Sequence, residues 1–335
     1  MKILFNSHAP FSLAQGGTQV QIERTKGALE ALGVRVEELR WWDRNQGGDI
    51  VHHFGFMPTD LVTAAQAKGW KVANTVLFTQ TCNRQPWELA IRRICIRSAL
   101  KAPLPDFFQD LIPWRSYHYS DRMIVGLEAE RNLLEKVYGV ESRRIAVIPL
   151  GLSEAFLKAG AGSRTSDDLI CTGRIDPSKN TLELARLAHA AKVNVLFVGK
   201  PSDANGAYWK EFHRLVDGKY VKLHGHVDGE AGIIDLLRAA RGYVLMSRFE
   251  NWCLAAHEAA ACGLPLLLPD QPWSRERFGN QASYFPRVKG DTAVKALRRF
   301  YEQCLNLPAP GVRLYTWREV AERLLEVYTG MLAAS

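Results

Sequence analysis

LICTGRIDPSKNTLELARLAHAAKVNVLFV, Leu169–Val198, holds one full cycle of the pattern that organises the chain. An apolar run from Leu169 to Thr172 ends in a turn at Gly173. A stretch with apolar residues every three or four positions follows, Thr181–Ala191, and a second apolar run occupies Val193–Val198. Short apolar runs of this kind read as strands covered on both faces, and the spaced stretch between them reads as a helix lying on those strands.

The same alternation extends in both directions. Lys2–Phe5, Val34–Leu39, Asp49–His53, Val72–Phe78, Met123–Val125 and Ile145–Ile148 read as strands, with helices at Gln19–Leu32, Asp60–Lys68 and Ala129–Tyr138. Beyond Gly151 come strands at Leu169–Thr172, Val193–Val198, Val221–His224, Gly242–Met246 and Leu264–Leu268. Helices there are Thr181–Ala191, Tyr208–Val216, Gly232–Ala240 and Leu254–Cys262, and Trp317–Leu332 closes the chain. Two successive series predict an α/β protein with two doubly wound, Rossmann-like domains. The boundaries are residues 1–150, residues 151–316 and a final helical segment, 317–335.

Composition narrows the function. Met1–Phe5 is too short for the apolar core of a signal peptide, and no run approaches a membrane span, so a cytoplasmic protein is expected. The six cysteines lack C-x-x-C pairing and read as reduced core thiols rather than zinc ligands. The net charge of +8 is divided evenly between residues 1–150 and 151–335. A nucleic-acid binder concentrates its charge in a patch, so no nucleic-acid partner is expected. A diffuse positive field suits an anionic small substrate or an anionic membrane surface.

Ligands of open parallel sheets sit at the carboxyl ends of the strands, where helix N-termini point at them. Three loops belong there. Gly16-Gly17 opens the first long helix, and Gly17 lets the backbone approach an anion; a plain tight turn reads equally well. Gly173-Arg174 with Lys179 sets two cations around one turn and a helix start, which reads as a diphosphate site. In the third loop, Glu250 precedes Asn251-Trp252-Cys253-Leu254, and Glu258 lies in a helix otherwise made of small residues, where a carboxylate is costly without a partner. Carboxylates there suit the vicinal hydroxyls of ribose and of a sugar ring. Neither G-x-G-x-x-G nor the Walker pattern occurs, which argues against nicotinamide, flavin and P-loop enzymes.

With these pieces in order, the chain resembles the retaining glycosyltransferases of family 4. The match is collinear: Gly16-Gly17, Asp49–His52, Ser120–Val125, Ile148–Gly151, Gly173-Arg174 with Lys179, Phe197–Gly199, His224–Val227, and Glu250 through Glu258 to Pro265. The resemblance implies the GT-B fold, with the two domains facing across a cleft and the last helix returning to the first. It implies transfer of a sugar from a nucleotide diphosphate sugar, UDP-sugar first, to an acceptor hydroxyl on a glycan, lipid-linked or small-molecule acceptor. Arg174 and Lys179 would stabilise the leaving diphosphate and Glu250 would hold the transferred sugar. Gly17, Gly173 and the Trp252, Cys253 and Leu254 amides would contact phosphate, and Glu258 the ribose. No cofactor is implied. Since Asp-x-Asp is also absent from the sequence, activity without a metal is expected.

The chain departs from the family pattern at several points. Thr79-Gln80-Thr81 stands where relatives carry a sugar-contacting histidine, which makes Gln80 the substitute. Asn180 follows Lys179 where glycine is usual, Trp252-Cys253 lies where a glycine is commoner, and Leu150 replaces an asparagine. His8 and His52 are weaker contact candidates, with a structural role the alternative for His52. Residues 87–101, basic and apolar, read as a surface helix; the alternative is peripheral contact with the inner face of a membrane. Two other functions remain open at this level: a nucleotide-sugar-binding protein without turnover, and a GT-B epimerase.

Overall fold

The computed structural model describes residues 1–7, 17–76, 78, 81–101, 113–286 and 290–334. The chain forms two compact units, Met1–Gly151 with Tyr315–Ser335, and Leu152–Leu314.

Unit 1 contains β1 (Lys2–Ser7), β2 (Arg35–Glu38), β3 (Ile50–Phe54), β4 (Lys71–Thr75), β5 (Arg122–Val125) and β6 (Ile145–Val147). They make one parallel sheet in the order β2-β1-β3-β4-β5-β6. All of β3 is buried, as its near-continuous apolar run requires. The expected strand to Phe78 stops at Thr75 instead. The helix expected over Ala129–Tyr138 is α-helical only to Leu133 and continues as a π-helical turn.

The terminal helix Trp317–Ala333 belongs to unit 1 and packs on the helix Gly17–Ala31. Its start is fixed by a capping box: Glu319 N–H donates to Thr316 Oγ1 at 3.1 Å, and Thr316 N–H donates to the Glu319 carboxylate at 2.7 Å. Gly151 lies beneath that start, where a Cβ would come within 2.6 Å of the Trp317 nitrogen. Only glycine permits this approach.

Unit 2 contains β7 (Leu169–Thr172), β8 (Val195–Val198), β9 (Val221–Gly225), β10 (Gly242–Val244), β11 (Leu266–Pro269) and β12 (Ser283–Phe285). The parallel order is β12-β11-β10-β7-β8-β9. The chain leaves β7 toward β8 on one side, and β10 joins β7 on the other. The order therefore reverses between β7 and β10, and in such sheets the carboxyl edge at the reversal is where ligands bind. The loops after these two strands are the Gly173–Lys179 and Ser247–Cys253 segments.

All six cysteines are free thiols; Cys171, Cys253, Cys262 and Cys304 are buried, while Cys95 is exposed. Among the described residues, no helix is long and apolar enough to cross a membrane.

Candidate active site

β7 delivers the first loop. Gly173 takes a φ of +136°, and its N–H donates to the Val198 carbonyl at 2.9 Å. Gly199, at the end of β8, has φ +153°, and a Cβ there would lie 1.9 Å from the Gly173 oxygen. The two strand ends thus approach so closely that a side chain has no room. After the turn, the buried Asp176 carboxylate organises the segment. It accepts from Ser178 Oγ (2.6 Å), Lys179 N–H (2.9 Å) and Ser202 Oγ (3.0 Å), and Arg174 Nε lies 3.3 Å away. Burial raises its pKa, but these hydrogen bonds and the Arg174 charge outweigh burial and hold it below the usual carboxylate range. Arg174 leaves about half its side chain open to solvent.

Lys179 folds back over the turn: its Cε lies 3.8 Å from where a Gly173 Cβ would be, and its ammonium donates to Glu250 Oε1. Burial lowers the Lys179 pKa, yet the Glu250 charge more than compensates, so it remains cationic. Asn180 adopts the left-handed conformation (φ +55°, ψ 32°) immediately before the helix Thr181–Ala191. Asparagine is the side chain that best tolerates that region after glycine, so the departure at this position keeps the required backbone.

β10 delivers the second loop, which is tied to the first where Arg248 N–H donates to the Ser178 carbonyl at 2.8 Å. Cys253 is also left-handed (φ +60°, ψ 74°) and precedes the helix Leu254–Ala261. The Cys253 and Leu254 N–H groups donate to no backbone carbonyl among the described residues. Amides free at a helix start are ready to meet an anion.

Three side chains lock this loop. Trp252 stacks on His257 with centroids 4.9 Å apart and planes 8° from parallel, and the Arg277 guanidinium lies 4.0 Å from the Trp252 ring centroid. His257 Nδ1 donates to the Cys253 carbonyl at 3.0 Å, and Nε2 accepts from Arg277 Nε at 3.3 Å. Burial first, and the nearby Arg277 charge, drive the His257 pKa down to about 3, so the ring is neutral, as this tautomer requires.

Glu258 sits one turn into the same helix. Burial first, and the charge of Glu230 second, push its pKa up to about 7. The side chain still keeps part of its surface in solvent, and its carboxylate has no hydrogen-bond donor among the described residues. An acid crowded by protein but left without a partner is poised for hydroxyl donors from outside.

The structure therefore gathers Gly173, Arg174, Lys179, Glu250, Trp252, Cys253, Leu254 and Glu258 at one sheet edge of unit 2. Gly17 belongs to unit 1, where it opens the helix Gly17–Ala31 with nothing within 4 Å of an added Cβ. His8 and Gln80 lie outside the described residues. His52 is a correction to its reading as a contact residue. It is buried in unit 1, with Nδ1 2.5 Å from the Tyr328 hydroxyl and Nε2 2.6 Å from Thr75 Oγ1, and burial lowers its pKa to about 3. Both nitrogens are committed to holding the terminal helix on the sheet.

Residues 166–303, most of unit 2, match the family model for glycosyl transferases group 1. The chain is a group 1 glycosyltransferase by domain and GT-B by fold. The D-inositol 3-phosphate glycosyltransferase of Kineococcus radiotolerans is 27% identical over 247 residues, which cover 62% of this chain and 57% of that relative. Sucrose-phosphate synthase from Thermosynechococcus elongatus superposes with a TM-score of 0.70 at 16% identity, covering 100% of this chain and 99% of its own. Anabaena HepE in complex with UDP and glucose superposes with a TM-score of 0.64 at 12% identity, covering 98% of this chain and 99% of its own. At such identities the two superpositions speak to the fold.

Sequence reasoning about this glycosyltransferase site missed Asp176, Gly199 and Arg277. Asp176-Pro177-Ser178 carried a turn signal, but nothing in it indicated a carboxylate turned inward. Arg277 comes from the helix Pro272–Phe278, a separate element whose packing on Trp252 leaves no trace in spacing.

Proposed function

We propose that this protein transfers a sugar from a nucleotide diphosphate sugar to an acceptor hydroxyl, with retention at the anomeric carbon and without a divalent cation. The observation that carries the reading is Lys179, held by Glu250 across the Gly173 turn at the strand-order reversal of unit 2. In glycosyl transfer, positive charge grows at the anomeric carbon and negative charge on the departing phosphate. Lys179 and the half-exposed Arg174 supply charge where the phosphate becomes an anion, which lowers the barrier rather than only tightening binding. The Cys253 and Leu254 amides add dipoles of the same sign.

Glu250 offers several acceptor sites, and Lys179 engages one oxygen, leaving the carboxylate able to take sugar hydroxyls. Glu258 takes the ribose hydroxyls. The departing phosphate oxygen accepts the acceptor's proton on the face from which it leaves, which gives retention. A uridine donor is favoured because a structural neighbour holds UDP, and a phosphorylated polyol is the first acceptor to try because the curated relative is named for one.

UDP-sugars are expected to raise the melting temperature more than guanosine or adenosine diphosphate sugars, as a ligand bound only to the folded state must. Labelled UDP-sugar should be transferred to a polyol acceptor at the same rate with and without EDTA. Absence of transfer from every nucleotide sugar, or donor consumption that needs no acceptor, would sink the reading.

The raised pKa of Glu258 gives a second expected result. Its folded pKa of about 7 lies above the ordinary carboxylate value, so it contributes stability that is complete below about pH 4.5 and lost as pH rises through 7. His52 and His257, with lowered pKa values, act in the opposite sense as pH falls below the usual histidine value. The readout is therefore the difference between wild type and Glu258→Gln. The glutamine variant should gain on wild type by on the order of 2 kcal/mol between pH 5 and pH 8. A pH-independent difference would show that Glu258 titrates normally.

A further inference from the structure

The helix Pro86–Lys101 of unit 1 has two apolar faces. Leu89, Ile96 and Leu100 turn inward and pack on a cluster that includes Phe78, Met123 and Leu134. On the other side Trp87, Ile91 and Ile94, spaced by four and three, are 64, 54 and 67% exposed. A surface helix with one buried face places polar residues there. Single exposed apolar residues need no explanation, but a ridge of three large ones along one helix marks a surface that something covers.

A second row runs beside the ridge. Arg93, Arg97 and Lys101, four residues apart, are all exposed. Arg92 instead lies over the Tyr138 ring at 5.9 Å. Glu88, the helix's one acid, is turned away: its carboxylate accepts from the Gln85 N–H at 2.8 Å and lies 3.6 Å from Arg84. The outward face therefore combines an apolar ridge with a row of cations and carries no carboxylate. Unit 1 also exposes Trp41 and Trp42 after β2. Indoles exposed in this way favour a boundary that is apolar on one side and wet on the other.

We propose that this face docks in the plane of an anionic lipid bilayer. Trp87, Ile91 and Ile94 enter the acyl boundary while Arg93, Arg97 and Lys101 meet lipid phosphates, so one surface satisfies both rows. A second copy of the chain would bring two cation rows to one contact with no acid to pair them. An acidic protein would answer the cations and leave the ridge uncovered.

The test is flotation of the whole protein with vesicles of phosphatidylglycerol and phosphatidylcholine, against phosphatidylcholine alone. Wild type should float with the anionic vesicles, less as salt is raised, and not with the neutral ones. Trp87→Ser, Ile91→Ser and Ile94→Ser together should cut partitioning about a hundredfold. Arg93→Gln, Arg97→Gln and Lys101→Gln together should do about the same. Neither set touches the donor loops, so transfer to a soluble acceptor should be unchanged, and flotation reads lipid binding whether or not transfer occurs. Indifference to anionic vesicles, or binding undiminished by either set, overturns the proposal. A wild-type dimer that the serine set makes monomeric would assign the face to a second copy. Binding to polyglutamate without binding to vesicles would assign it to an acidic protein. Either result also overturns the proposal.

Discussion

Lys179→Ala should lower turnover by about a hundredfold or more, equivalent to on the order of 3 kcal/mol of lost transition-state stabilisation. The ammonium is mostly buried against Glu250 and the Gly173 turn, so no water or neighbouring cation occupies its position at low cost. The fold should survive, because the turn is held independently by Asp176, whose bonds reach the Lys179 backbone and not its side chain. Glu250→Gln, which removes the opposite member of the pair, should be almost as severe and equally folded. Steady-state rates with saturating donor, alongside melting curves, separate the two effects. A Lys179→Ala enzyme with wild-type kcat would remove the ammonium from the chemistry.

Gly199→Ala should be the most damaging single methyl group in unit 2. The new Cβ would sit 1.9 Å from a backbone oxygen, at a φ of +153° that side chains rarely adopt. A backbone atom cannot swing aside as a flexible side chain can, so the strand ends must part at a cost above roughly 3 kcal/mol. The displaced carbonyl belongs to Gly173, so donor affinity should fall with stability. Gly173→Ala is the informative control. Its nearest neighbour is Lys179 Cε at 3.8 Å, an ordinary contact, leaving only backbone strain. Calorimetric unfolding of both variants would check the order; equal stabilities would show that the close approach relaxes.

The fold was legible because strands buried on both faces leave unbroken apolar runs, and β1, β3, β7 and β11 are such strands. β12 was not legible, since it is three residues long and only Phe285 is buried. Glu258 stood out because a carboxylate among alanines has no ordinary reason to be there, and its raised pKa is the physical form of that oddity. His52 misled because a strand-end histidine looks the same in sequence whether it faces a ligand or a tyrosine from the far end of the chain. The helix Pro86–Lys101 posed a different difficulty. With apolar residues on both sides, its periodicity cannot say which side turns inward.

The left-handed residues Asn180 and Cys253 each stand at the threshold of a helix at this edge. A left-handed residue followed by right-handed ones tips consecutive peptide planes into a shallow cup of amides, a form that cradles oxyanions. A cup made of main chain does not depend on which side chains hang from it, provided those two dihedral angles survive. Substitutions can therefore accumulate around it without erasing it, and that latitude fits the wide divergence in residue identity between this chain and proteins that share its architecture.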